Sequence, residues 1–352
     1  MRAHERHSRL GPRLVTAAAP MLAVALALTV GAGLIAAIGE RPLQIYGLML
    51  RECFGTGYGL GQTMFRATPL VFTGLAVALG FRAGLFNIGV EGQLYLGGFA
   101  AALVGVGFAH LPTVLLLPLT VLAAAAAGGV WGAIPGALKA RLGAHEVINT
   151  IMLNFIAFAL VAYVGRSVFE PSTVRTATIG PGALLPRLEA WLPALKGSPA
   201  NLAGLLGLGV SAGVGALLFA TRRGYELRAV GLSPAAAEYG GISVPRTQTL
   251  ALTLSGAIAG LGGTNFVLGY KHFFELGFSS GAGFIGIAVA LIGRNHPLGV
   301  IAAALFFGAL SYGGLVINQR VPKELVEMLQ GLVILFAISA HQALERAARR
   351  MG

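Results

Sequence analysis

Apolar runs of bilayer length set the limits on this chain. They follow one another with short polar breaks, near 14–38, 64–81, 90–108, 112–138, 147–165, 200–220, 248–269, 281–293, 298–314 and 325–341. A helix needs about 20 apolar residues to cross the hydrocarbon of a membrane. Charged residues make up 11% of the sequence, against about 25% in a soluble domain. A chain this poor in charge cannot clothe a water-facing surface. The expected fold class is all-α: a polytopic transmembrane helical bundle of about ten spans, with interrupted helices and one short cytoplasmic helix. It reads as one membrane domain over 14–341 between basic tails at 1–13 and 342–352. The first run, 14–38, exceeds the apolar core of a secretory signal, about 7–15 residues, and reads as an uncleaved span.

Basic residues flank spans on the side where they stay. With the N-terminus inside, ten spans leave Arg2, Arg6, Arg9, Arg13, Arg82, Lys139, Arg141, Arg222, Arg223, Arg228, Arg246, Arg294, Arg346, Arg349 and Arg350 inside, fifteen of the 25 Lys and Arg. This bias predicts an N-in, C-in arrangement, and it explains the net charge of +12 without nucleic acid. The chain has no basic-aromatic recognition module. One cysteine, Cys53, excludes an intrachain disulfide, and the scattered histidines show no metal-ligand spacing. No lysine stands between Gly and Ser or Thr, so the phosphate-cradling loop of an ATPase is missing. Energy from ATP would have to come from another polypeptide.

Four polar interruptions carry the functional signal. Phe81–Leu103 holds Asn87, Glu91 and Gln93 among Gly84, Gly89 and Gly92. Polar groups at membrane depth face the protein interior or a water-filled route, and glycines let a helix break there. This segment is expected to border a path for solute; the plain alternative is a turn in which Glu91 pairs with Arg82. His145–Leu160 places Asn149 and Asn154 on a span, to line the path or to join helices. Gly277–Gly299 predicts a short, interrupted span that faintly echoes 84–103. Gly128, Gly132 and Gly136, with Gly256 and Gly260, form smooth strips suited to close helix crossing.

The fourth interruption is 221–247. Ser233 can cap a helix that Pro234 starts and Gly240 and Gly241 stop. Two turns are too few to stand alone, so this helix is expected to dock on a soluble partner. Tyr225, Glu226, Arg228, Ala229, Gly231, Ser233, Pro234, Ala236, Glu238 and Gly240 are the candidate docking residues. The loop 166–199 is rich in proline and is expected to hold a short surface helix near Pro186–Leu195; residues 40–63 read as an amphipathic interfacial stretch.

Together, Gly84–Gln93, His145–Asn154, Leu227–Ile242 and Gly281–Arg294 resemble the permease subunits of bacterial ABC importers, in the nucleoside and simple-sugar branch of the branched-chain amino acid permease superfamily. The resemblance implies a chain without enzymatic activity or a bound cofactor, in the bacterial cytoplasmic membrane. It implies a second permease subunit, a cytoplasmic ATPase dimer that binds ATP and Mg, and an extracytoplasmic solute-binding lipoprotein or periplasmic protein. Tyr225–Gly241 corresponds to the segment that meets the ATPase. Asn87, Glu91, Gln93, Asn149 and Asn154 are the candidate path residues, and a nucleoside is the favoured solute, with a sugar next. An ion-gradient transporter is the alternative, for which Glu91 is the one serious intramembrane proton site. A membrane-embedded enzyme would need clustered acids or histidines, which are absent from the sequence.

Overall fold

The computed structural model describes residues 21–322, 324–336 and 339. The tails 1–13 and 342–352, the start of the first span and the end of the last lie outside these. The described helices are α1 (Met21–Ala37), α2 (Pro42–Phe54), α3 (Gly57–Arg82), α4 (Val90–Gly107), α5 (Thr113–Leu142), α6 (Glu146–Val168), α7 (Ala203–Ala220), α8 (Arg222–Leu232), α9 (Pro234–Tyr239), α10 (Val244–Leu261), α11 (Ala282–Ile292), α12 (Pro297–Ile317) and α13 (324–336). A helix stands at each of the ten expected span positions. Among the described residues, seven helices are long and apolar enough to cross a membrane, or eight if the bent pair α1–α2 is one span. The chain is all-helical, with isolated bridges and no strand among the described residues.

Local chemistry explains where the expected boundaries moved. Gly39, at φ 86°, ends α1, and Pro42 opens α2 at 116° to it. The stretch 40–63 is therefore divided: α2 is separate, while 57–63 belong to α3. In the loop 166–199 the expected surface helix is reduced to two 3-10 turns, Leu188–Ala190 and Pro193–Leu195. Pro193 lacks the N–H that would let one turn run on into the next. Helix α10 continues through Thr264–Phe266 into a π-helical turn, Val267–Lys271.

The chain divides into two compact units. The smaller joins the described parts of Met1–Thr56 and Ala309–Gly352. In it Tyr46 donates from its hydroxyl to the Leu28 carbonyl at 2.8 Å, and Gly313 and Gly314 lie against Met49 and Val326.

The larger unit, Gly57–Gly308, carries every candidate functional residue. Most of α3, α4 and α10 is buried, whereas α5, α6 and α7 turn most of their surface outward. The two glycine strips face each other. A Cβ on Gly256 would strike the Gly128 carbonyl oxygen, one on Gly260 that of Ala124, and one on Gly132 that of Leu252. Gly97 brings α4 onto Gly260 in the same way. Lipid gives apolar surfaces no drive to associate, so close backbone approach and dense packing hold such helices together. Gly256→Val should therefore cost at least about 1–3 kcal/mol, or prevent assembly. Gly213→Ala, at a position open to at least 4 Å, should leave stability unchanged. Thermal unfolding of the detergent-solubilised chain, followed by size-exclusion recovery, reads both.

Candidate functional site

The polar loop after α7 folds as two short helices, where the sequence predicts one. Thr221 caps the first, α8, its hydroxyl oxygen accepting from Gly224 N at 3.1 Å. Glu226 holds Arg222 and Arg223 at 3.1 and 2.9 Å, and these guanidiniums keep its carboxyl below the usual carboxylate range, Arg223 first. Ser233 caps the second helix, α9, through Ala236 N, Pro234 starts it, and Gly241 at φ 80° ends it. Between the two helices lies a groove of about 430 Å³. Tyr225, Glu226, Ala229, Ser233, Ala236 and Gly240 line it.

The other candidate docking residues lie elsewhere. Gly231 faces the body of the protein, where a Cβ would strike the Arg82 carbonyl oxygen. Arg228 lies over the ring of Phe219, 5.6 Å from its centroid. Pro234 and Glu238 are exposed outside the groove. Sequence reading missed two apolar side chains of this loop, Leu232 (89% exposed) and Tyr239 (98% exposed). Their signal was available: both are large apolar residues in an otherwise polar, alanine-rich loop.

Gly231 lies against the turn at Arg82–Gly84, and that turn leads into the polar network. After α3 ends, the chain reverses at Gly84, φ 71°, and Asn87 comes back beside Gly80 before α4 begins. Asn87 Nδ2 donates to Gln93 Oε1 at 2.9 Å and to Ser255 Oγ at 2.8 Å. Ser255 in turn donates to the Ala76 carbonyl at 2.7 Å. Asn154 of α6 accepts from Gly92 N at 2.8 Å and donates to the Ile88 carbonyl at 2.9 Å. Thr150 accepts from Ile88 N at 3.3 Å. Asn87, Glu91, Gln93, Thr150, Asn154 and Ser255 are all buried.

Glu91 does not pair with Arg82, the partner expected in the plain reading. Its carboxylate accepts from the Ser279 hydroxyl and from the N–H groups of Gly281 and Gly283. It thus sits in the first turn of α4 and at the N-terminus of α11, two ends whose free N–H groups favour an anion. The Arg82 side chain points instead to the Asn295 carbonyl, at 3.0 Å. Asn149 stays outside the network, its Nδ2 enclosed without a partner.

Residues 59–338 match the family model for the permease component of branched-chain amino acid transport systems. The chain belongs to that family. It is 40% identical over 327 residues to the guanosine ABC transporter permease protein NupP of Bacillus subtilis, covering 92% of this chain and 93% of that one. It is 39% identical over 342 residues to a glucose ABC transporter permease protein of Haloferax volcanii, covering 94% and 90%. The nucleoside ABC transporter permease protein NupB of Lactococcus lactis is 34% identical over 324 residues, covering 90% and 89%. No solved structure matches the chain. The protein is an integral membrane permease, the membrane subunit of an ATP-driven importer.

In this permease the network's amide side chains serve one another and the backbone: Asn87 pairs with Gln93 and Ser255, while Asn154 holds the backbone of Gly92 and Ile88. Asn154→Ala would strand the Gly92 N–H and the Ile88 carbonyl, at about 1–3 kcal/mol for each buried group left unpaired. Asn149→Ala strands no partner and should stay within about 0.5 kcal/mol of the parent. The two variants, compared by thermal unfolding in one detergent, check the network; equal melting temperatures would contradict it.

Proposed function

We propose that this permease forms half of a conduit through the bacterial cytoplasmic membrane and imports a nucleoside, with a simple sugar the next choice. The similarity to permeases named for guanosine and nucleosides carries that choice of solute. A second permease subunit of a different chain completes the route, and an extracytoplasmic solute-binding protein delivers the solute. A cytoplasmic ATPase dimer, which binds ATP and Mg, supplies the energy. The arrangement is ten spans with both termini inside: the short α11 and α13 then serve as spans alongside the longer helices, and α8–α9 lie on the ATPase side.

Coupling runs through α8 and α9. The groove between them takes a side chain of the ATPase, and Leu232 and Tyr239 supply exposed apolar anchors beside it. Burying one such anchor is worth a large share of an interface. Gly231 carries the displacement inward, because it meets the Arg82–Gly84 turn with no side chain between. That turn leads directly to Asn87 and Glu91. A push on the loop thus reaches the broken corner between α3 and α4, which borders the solute route. Asn87, Glu91, Gln93 and Asn154 frame that corner, and Asn149 presents the amide still open to a hydroxyl.

The test is uptake of radiolabelled guanosine and glucose by cells carrying the complete transporter with this chain intact or deleted. Loss of guanosine uptake on deletion, with glucose uptake retained, is the expected result; the reverse pattern would assign a sugar. Joint replacement Leu232→Ala and Tyr239→Ala should lower uptake about tenfold or more while the chain still reaches the membrane at normal levels. Unchanged uptake would remove α8–α9 from the coupling path. Uptake by the purified chain alone, driven by an ion gradient, would overturn the ATP-driven reading.

A further inference from the structure

At the end of the bundle that carries α8 and α9, two arginines flank one aromatic ring and a third, Arg294, stands next to them, its backbone carbonyl 3.5 Å from the Arg82 guanidinium. Arg82 and Arg228 lie 5.7 and 5.6 Å from the centroid of Phe219, and His296 stacks on the ring at 5.5 Å. Arg294 is within electrostatic reach of Arg82, as is Arg228. No acid answers them: among the described residues Arg82, Arg228 and Arg294 form no ion pair, and nearby Glu226 is held by Arg222 and Arg223. The Arg82 and Arg228 side chains do bond backbone carbonyls, of Asn295 and Gly224, but those are neutral. Three like charges held together without a counter-ion repel one another, and an anion among them relieves that.

The surroundings say which anion. Phe219 is 45% exposed at the end of α7, a helix that turns mostly outward, and Leu298 beside His296 is 71% exposed. Arginines at the ends of spans lie at the depth of lipid headgroups, and an exposed ring and an aliphatic side chain next to them offer apolar surface to the start of an acyl chain. Basic pockets between helices on the inner side of a membrane suit lipid phosphates.

We propose that Arg82, Arg228 and Arg294 bind the headgroup phosphate of an anionic phospholipid, whose acyl chain lies along Phe219 and Leu298. The site is separate from the solute route and does not depend on which solute is carried. It places a structural lipid at the edge of the contact that Gly231 makes with the turn at Arg82–Gly84.

Native mass spectrometry of the full-length chain, titrated in detergent with phosphatidylglycerol and with phosphatidylcholine of the same acyl chains, tests this. Phosphatidylglycerol should be retained on the order of a hundredfold more tightly, each of the three basic residues contributing on the order of fivefold. Arg294→Gln should lower that preference about fivefold, while Arg141→Gln, outside the cluster, leaves it unchanged. Raising the salt to about 0.5 M should lower it in the unaltered chain, because these charges are partly exposed and screened; this reading needs no variant to fold. Equal retention of the two lipids, or an undiminished preference in the Arg294 variant, would overturn the proposal. Displacement by inorganic phosphate at equal concentration would show a free-anion site instead. Loss of the bound lipid when the ATPase joins the complex would show that the arginines serve an acidic segment of that partner.

Discussion

A helix that stops inside a packed protein strands backbone N–H and carbonyl groups where no water can receive them. The larger unit of this permease breaks its helices twice next to buried residues, before α4 and before α11. Both breaks rest on one carboxylate. Glu91 lies in the first turn of α4 and accepts from Ser279, Gly281 and Gly283 at the start of α11. Two helix N-termini therefore share a single carboxyl group. Asn154 completes the repair from a third helix, accepting from Gly92 N and donating to the Ile88 carbonyl. Remove these side chains and the irregular segment 83–89 loses the partners that hold it.

Rigid neighbours make the breaks useful. Glycine seats on α5 and α10 place backbone on backbone, so this pair is tightly packed, and Gly97 joins α4 to it. Contacts of this kind leave no side chain to rotate aside. The same economy appears at α8, where Gly224 meets Leu217 and Leu218 and Gly231 meets the Arg82–Gly84 turn. In the proposed coupling, a displacement of α8 would meet no soft layer, and densely packed parts transmit strain.

Much of this was legible in the residues, and the rest was hidden for physical reasons. Apolar run length located a helix at all ten span positions, because lipid imposes a length on every crossing. The Ser233–Pro234 start and the Gly241 stop of α9 were readable because capping is local chemistry. Helix α8 was not, since its Arg-Arg-Gly opening has weak helix signals and its cap, Thr221, sits at the end of an apolar run. Each glycine strip could be seen alone, but not that α5 and α10 pair through them. The partners of Glu91 lie 188 to 192 positions away, beyond the reach of any spacing rule. Arg82 stood nearer in sequence, and its side chain went to the Asn295 carbonyl instead. Asn87, Gln93 and Asn154 were recognisable as buried amides, whereas their satisfaction by Ser255 and by backbone required the fold.

That satisfaction bears on how selectivity is divided in the proposed assembly. An amide whose donors and acceptors already serve the protein has little left to offer a hydroxyl or a base edge, and stealing it would strand a buried group at about 1–3 kcal/mol. A route framed by such amides holds solute weakly, which suits passage, since a tight site would slow release. Overall likeness does not separate solutes either: identity is 40% to a guanosine permease and 39% to a glucose permease. The shared scaffold is thus compatible with quite different cargo. In the proposed assembly discrimination then falls to the delivering protein and to polar groups outside this network. The framing amides already serve one another and the backbone, so exchanging cargo in this fold calls for changes outside the Glu91 corner.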